Sequence, residues 1–307
     1  MTATIEFTYP NGRVATFTPL NFKFVRERYT PYTVLSGHFL STDGIENVKT
    51  ISLYIDNTLV HVGMPDFIER KYAKSRSIVS LLSRSYSMLL GQNEPEPGII
   101  SNVDLAGLIF NNTSLPNVNC QAQTQILNYV YVKEKSTIWD AVCAYSIKAY
   151  GKYPFIYNTN TVRVTPLSNI VTHTYQSDDV LHYGEKLSTS GLYSQVYMAD
   201  SNDQYSYSQT NSAALSRNIV RRKYYPLDNQ WYHDPNAGLL AKLKYSNKGY
   251  IAREFRYKGH KFENLQDKAS FSSNGFSINN ELIAGVEVVG NSRGIFTKIT
   301  VYRDSYA

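Results

Sequence analysis

The sequence predicts an α+β fold that is mainly β, in which two small β-barrel domains flank an α/β domain. Three observations carry this reading. Apolar and polar residues alternate with a period of two near both ends, the pattern of strands with one buried face. Hairpin-type turns punctuate those stretches. Helical spacing is clearest between Ser101 and Gly151. The boundaries that follow are 1–98 for the first β-barrel domain, 99–170 for the α/β domain and 171–307 for the second β-barrel domain, with room for a helical insertion around 236–258.

Ile5, Phe7 and Tyr9 share one parity, and Val14, Thr16 and Thr18 follow after Pro10-Asn11-Gly12. Asn and Gly both tolerate positive φ, so this is a hairpin signal. A second hairpin joins Ile51–Ile55 to Thr58–Val62 across Asp56-Asn57. A third joins Phe67–Tyr72 to Ser77–Leu82 around Ala73-Lys74-Ser75. Several short strands with close turns indicate a small barrel or sandwich. The run from Gly91 to Gly98 holds two prolines and two glycines and marks a boundary. Ser101-Asn102-Val103-Asp104 reads as a capping-box-like start to a short helix through Leu105, Leu108 and Ile109. A strand is predicted from Ile126 to Val132. Ser136 is placed to cap a helix with Ile138, Trp139, Val142, Tyr145 and Ala149 at helical spacing, and Gly151 to end it. Phe155–Tyr157 and Thr161–Val164 form a further hairpin. Beyond it, Leu192–Met198 and Asn218–Tyr225 read as strands and 201–213 as a long polar loop. Ala237–Tyr257 permits a helix through Leu239, Leu240, Leu243 and Ile251, which Gly249 weakens. Glu281–Val289 and Ile295–Tyr302 make the closing hairpin. No internal repeat is clear at the residue level.

Composition bounds the function. Hydrophobic residues are 42% and charged residues 18%, enough apolar surface to build cores. The 26 tyrosines, against 13 Phe and 2 Trp, suit half-buried sheet faces and contact surfaces. The net charge of +6 is mostly scattered. Its densest cluster, Arg221-Arg222-Lys223 before Tyr224 and Tyr225, reads as a solvated strand face, with single-stranded nucleic acid as the sharper alternative. Cys120 and Cys143 imply no disulfide framework and point to a reducing compartment. No basic-then-apolar leader opens the chain, and no stretch of 18 apolar residues is long enough to span a membrane.

A search for chemistry leaves few candidates. His38, His61, His173, His182, His233 and His260 form no metal-ligand pair of known spacing. His173 and His182 near Asp178-Asp179 could gather around a metal, or lie in a solvated loop. Asp200-Ser201-Asn202-Asp203 resembles a fragment of a calcium loop but lacks the glycine and distal glutamate. Glu94 and Glu96 sit in a Pro-rich loop, and Trp139 and Trp231 could line a sugar site, although Trp139 reads first as helix core. There is no nucleophile elbow, phosphate loop or dinucleotide fingerprint. The expectation is a protein that is not an enzyme, with no catalytic residues, no cofactor and no metal.

The order of parts resembles the baseplate hub family of contractile-tailed, Mu-like phages and related tailocins. The resemblance covers most of the chain and rests on diffuse patterns. Ile51-Ser52-Leu53-Tyr54-Ile55-Asp56-Asn57 resembles the family's first-barrel strand and turn. Arg84–Leu90, a Pro-containing loop and Asn102–Phe110 resemble the passage into its α/β domain. Tyr131–Asp140 resembles the segment that opens its helix, and Pro154–Tyr157 with Val162–Val164 the hairpin after it. Leu282–Val288 and Gly294–Val301 resemble its closing strands. The resemblance implies a homotrimer in which two similar barrels per subunit give a pseudo-sixfold ring. It would join a sixfold tail tube to a threefold central spike. The implied partners are tail tube and tube-initiator proteins, the spike, and tape measure and wedge proteins. Nucleic acid would be only passing cargo. The implied location is the virion tail baseplate or a tailocin particle, assembled in the bacterial host cytoplasm. A carbohydrate-binding tail adhesin or receptor-binding protein is the alternative that the aromatic content fits equally well, and a tail-attached cell-wall hydrolase is a further one.

Overall fold

The computed structural model describes residues 1–41, 44–73, 76–111 and 113–303. Seven strands open the chain: β1 (Ala3–Thr8), β2 (Val14–Phe17), β3 (Pro19–Glu27), β4 (Val34–Leu40), β5 (Thr50–Ile55), β6 (Thr58–Ala73) and β7 (Arg76–Ser85). A 3₁₀ turn, Tyr86–Gly91, leads into β8 (Gly98–Val103), α1 (Leu105–Phe110), β9 (Asn119–Cys120), β10 (Leu127–Val132), α2 (Ile138–Tyr150), β11 (Phe155–Tyr157) and β12 (Thr161–Arg163). The last section runs through β13 (Thr172–Tyr175) and β14 (Val180–Leu187). It continues through β15 (Gln195–Met198), β16 (Tyr207–Thr210), α3 (Ser212–Leu215), β17 (Arg222–Tyr225) and α4 (Pro235–Ser246). It ends with β18 (Ile251–Lys258), β19 (Lys268–Ser273), β20 (Phe276–Asn291) and β21 (Gly294–Tyr302). Among the described residues no helix is long and apolar enough to cross a membrane.

The three N-terminal hairpins form as their turn chemistry dictates. Ile5 faces Phe17, Ile55 faces Thr58, and Phe67 faces Leu82. Asp56 and Asn57 both take positive φ, as the two-residue turn requires. Lys74 and Ser75, at the third turn, lie outside the described residues. Strict alternation of buried and half-buried residues along β21 shows why these stretches are strands: one face is core and the other is not.

The two β-rich sections expected at the ends do not stay apart in the sheet. Strands from both ends join in a single 13-stranded sheet, ordered β14-β18-β21-β20-β3-β4-β7-β6-β5-β1-β2, with β19 added on β20 and β13 on β19. The joint is the antiparallel ladder of β3 with β20, Glu27 facing Gly285 and Phe22 facing Gly290. One continuous core backs this sheet and mixes residues of both ends, Phe7, Phe24 and Phe39 with Phe255, Val288 and Ile299. No ladder among the described residues closes either half upon itself.

The two halves nevertheless repeat each other. β5, β6 and β7 begin at residues 50, 58 and 76, and β19, β20 and β21 begin at 268, 276 and 294. The offset is constant (268 − 50, 276 − 58 and 294 − 76 are all 218). The pairings obey the same offset: Gly37 faces Leu81 as Phe255 faces Ile299, and Ile51 faces Gly63 as Ala269 faces Glu281. Even the bulges coincide, between Pro65 and Phe67 in β6 and between Ile283 and Gly285 in β20. The two-residue turns coincide too, with positive φ at Asp56 and Asn57 and again at Asn274 and Gly275. β14 occupies the place of β3, with register shifts at Val180/His182 and at Pro19/Asn21. The units differ in their connections: β3 reaches β4 in six residues, whereas β14 reaches β18 through the segment that holds β15 to α4.

The α/β unit has its own core, built from Leu105, Val130, Ile138, Trp139, Val142 and Tyr145 among others. Arg28 pins it to the sheet. This side chain is 1% exposed and donates to the carbonyls of Pro154 (2.8 Å) and Tyr153 (2.6 Å), with its guanidinium over Phe155. Charge-assisted bonds of this kind contribute about 1.5–3 kcal/mol each.

Several local expectations shift. The caps of α1 and α2 are Asp104, which accepts from Gly107 N, and Thr137, which forms a capping box with Asp140; Ser101 lies in β8 and Ser136 precedes the cap. Gly151 closes α2 at φ 64° as expected. The helix expected around 236–258 ends at Ser246, and Ile251–Lys258 is strand β18 in the large sheet. The loop expected at 201–213 contains β16 and the start of α3.

Candidate assembly surface

The β3–β20 joint shows how one unit of this fold docks on another. On the core side Phe22 and Phe24 meet Val286 and Val288, all at most 3% exposed. Gly290 makes room for Phe22: a Cβ there would stand 2.1 Å from the phenyl Cε1. Arg26 is also buried, and burial pushes its pKa down to about 10 against the pull of Asp267 and Glu263. Its guanidinium donates to the Asn264 side chain and the Glu263 carbonyl. The other face of the joint carries alternating charge. Lys23 pairs with Glu287 at 2.9 Å, and Lys298 lies between Glu287 (3.9 Å) and Glu254 (3.7 Å).

Two edges of the same kind are left without a partner strand among the described residues. The second half of β6 has β7 on one side only, and β14 has β18 on one side only. Side chains along both are open to solvent: Phe67 is 51% exposed and Tyr72 79%, Leu181 56% and Leu187 59%. An open edge offers unpaired N–H and C=O groups, which is a template for pairing with another chain.

The sequence-derived candidates for chemistry do not converge. His173 Nε2 is committed to Asp267 at 3.1 Å, His182 lies on exposed β14, and Asp178 and Asp179 stand in a 3₁₀ turn. Among the described residues no three His, Cys, Asp or Glu side chains gather to hold a metal ion. Asp200 turns its carboxylate onto its own loop, accepting from Asn202 N, Gln204 N and the Ser206 hydroxyl, and these bonds lower its pKa. Glu94 and Glu96 are exposed in the loop before β8. His61, buried between Thr33 and Ser83, is pushed down to about 3 by burial and by the charge of Arg26, and so serves as a neutral core bridge.

Trp139 is 6% exposed in the α/β core, with its ring edge-on to Tyr153. Trp231 lies across α4 where Gly238 leaves space, and flanks a groove of about 350 Å³ with Tyr129, Lys148 and His233. In the basic run, Arg221 is spent on the carbonyls of Thr189 and Ser190. Lys223 reaches the Tyr193 ring, and Tyr224 stacks on Tyr197 at 4.8 Å. Cys120 and Cys143 are free thiols, and burial raises the pKa of both. Which strand edges stay open depends on which strands pair across the chain.

No family model matches the chain, and no curated protein sequence matches it. Solved structures do. The tail protein of Neisseria meningitidis MC58 is similar with TM-score 0.74 and 12% identity, covering 100% of this chain and 98% of that one. The 43 kDa tail protein of prophage MuSo2 from Shewanella oneidensis is similar with TM-score 0.75 and 13% identity over 99% and 98%. A component of the type VI secretion system of E. coli is similar with TM-score 0.59 and 10% identity over 95% and 75%. From one end to the other, the chain therefore has a fold that phage tail proteins carry.

Proposed function

We propose that the chain is a structural baseplate subunit of a contractile tail, a hub whose trimeric ring joins the tail tube to the central spike. One observation carries this reading: two units related by a constant offset of 218 residues (276 − 58), in a fold that tail proteins share. Three chains with two equivalent units each present six equivalent walls to a sixfold tube while keeping threefold symmetry for a spike. Each unit serves as one barrel-like wall of the ring. The joint within the chain is compatible with this, because neighbouring walls of a ring must meet edge to edge. The face carrying Lys23, Glu287, Lys298 and Glu254 lines the channel, where balanced charge gives passing cargo little to adhere to. The mechanism is geometry and buried interface, without bond chemistry. Closed rings need heterologous contacts, and specific interfaces of this kind bury above roughly 1,000 Å².

The test is multi-angle light scattering of the chain alone and mixed with a candidate spike protein. A ring of three in either sample is expected. A strict monomer in both, at high concentration, refutes the hub. Glycan binding that is lost on Trp231→Ala would then favour the adhesin reading.

A further inference from the structure

We infer that copies of this chain join by β-sheet pairing, with the β6 edge of one copy laid antiparallel on the β14 edge of the next, in the register of the β3–β20 joint. The inference rests on the ring reading and names its contact surface. The repeat supplies the template. β20 is the equivalent of β6 and β3 is the equivalent of β14, so the joint inside the chain already pairs one strand of each kind. The partner edges of the second such joint are both open, and six strands separate them in the sheet order. They cannot meet within one chain, so the occupant is a second copy.

The register can be transferred residue by residue. Glu287 faces Val25 in the joint within the chain. The equivalents are Glu69 and Lys186, an opposite-charge pair. Val288 faces Phe24, and the equivalents are Arg70 and Glu185. Arg70 has Nε and Nη2 buried without a hydrogen-bond partner among the described residues, so the Glu185 carboxylate, which already accepts from Arg253 at 2.5 Å in its own chain, would there bridge two guanidinium groups. Val286 faces Arg26, and the equivalents are Ile68, which packs against the core, and Leu187, 59% exposed. A slip of one residue would set Glu69 against Glu185 and reverse the faces, so charge and pleat select the same register.

Disulfide trapping tests this directly. The Arg28 N–H bonds to the Ala284 carbonyl at 2.8 Å, which makes 28/284 and every second pair hydrogen-bonded and leaves Val25/Glu287 a non-hydrogen-bonded pair. Its equivalent, Glu69/Lys186, therefore brings the Cα atoms to about 4.5 Å, within disulfide reach. The Glu69→Cys, Lys186→Cys double variant should give a covalent ladder ending at three chains on a non-reducing gel. Either single variant, or Ile68→Cys with Lys186→Cys, should not. In parallel, Lys186→Glu should weaken association about tenfold per joint, and adding Glu69→Lys should restore it. A wild-type chain that forms trimers while the double variant fails to link, or links no better than the shifted pair, overturns the joint and leaves the ring. A wild-type chain that stays monomeric both alone and with a spike protein overturns both.

Discussion

Trp139→Ala measures how far the α/β unit relies on its own core. The indole is 6% exposed on α2, against Tyr153 and within the cluster that includes Val130, Ile138 and Val142. Truncating a buried Trp to Ala costs about 3–5 kcal/mol in lost transfer energy and cavity. One correction runs the other way. The indole Nε1 is buried without a partner among the described residues, and removing an unsatisfied donor returns about 1 kcal/mol or more. The net expectation is a loss of about 2–4 kcal/mol, which in a chain of this size lowers the melting temperature by about 3–6 °C. Trp139→Phe keeps a ring and sheds the donor, so it should cost about 1 kcal/mol or less. The assay is calorimetric melting of the three proteins, with near-ultraviolet dichroism to confirm native packing. An Ala variant that melts with the wild type refutes the core role, and a Phe variant that falls as far as Ala shows that the N–H has a partner after all.

Acid should probe the C-terminal half. Burial pushes the Glu263 carboxyl up, but His260 and the Tyr175 and Tyr257 hydroxyls outweigh it and hold the pKa at about 2. A depressed folded-state pKa stabilises fully above the ordinary value of 4.5 and loses its effect as pH falls toward 2. Glu263→Gln should therefore cost about 3 kcal/mol at neutral pH and flatten the decline in melting temperature between pH 5 and about 2; an unchanged acid limb would refute the assignment. Gly63→Ala places a Cβ 2.1 Å from the Arg84 carbonyl oxygen and 2.7 Å from His61 Nε2. It should destabilise the β6–β7 pairing by more than about 3 kcal/mol, read as lost hydrogen-exchange protection in β7, and wild-type protection there would show that the sheet yields.

Local structure was legible where a side chain dictates backbone geometry. Asp56-Asn57 fixed its hairpin and Gly151 ended α2, because positive φ is available cheaply to few residues. Caps were misplaced where neighbours offer the same chemistry: Ser136 and Thr137 can each cap, and the reciprocal bonds between Thr137 and Asp140, three residues on, decide for Thr137. The helix–strand border at 246–251 was blurred because Leu243 and Ile251 fit a helical stripe, although Gly249, at φ 62°, breaks it. The repeat was hidden for a different reason. Equivalent positions keep burial and parity and seldom identity, as with Phe39 and Tyr257 or Leu53 and Phe271, while Ser52/Ser270 and Glu69/Glu287 are matches too sparse to notice. The assembly edges are a property of non-local pairing, which no local pattern encodes.

The two joints that the repeat defines differ in chemistry in the way their histories require. The joint within the chain forms once, during folding, and its core side is apolar: Phe22, Phe24, Val286 and Val288 with the buried Arg26. The edges proposed to join between copies must survive in water first. An open, flat, hydrophobic strand aggregates, and charged residues along an edge suppress this. β6 carries Glu69, Arg70 and Lys71 in sequence, and β14 carries Glu185 and Lys186. Each edge repels a second copy of itself laid in antiparallel register only weakly, but each meets its intended partner with opposite charge at two successive positions. Charge at an edge contributes little affinity once solvated, and its larger effect is on register and partner choice. The apolar flanks, Ile68 with Leu187 and Tyr72 with Tyr183, then supply the burial. On this argument, high salt should slow ring assembly while leaving the joint within the chain intact. Loss of the β3–β20 ladder at the same salt concentration as the trimer would show that the two joints share one chemistry and defeat the distinction.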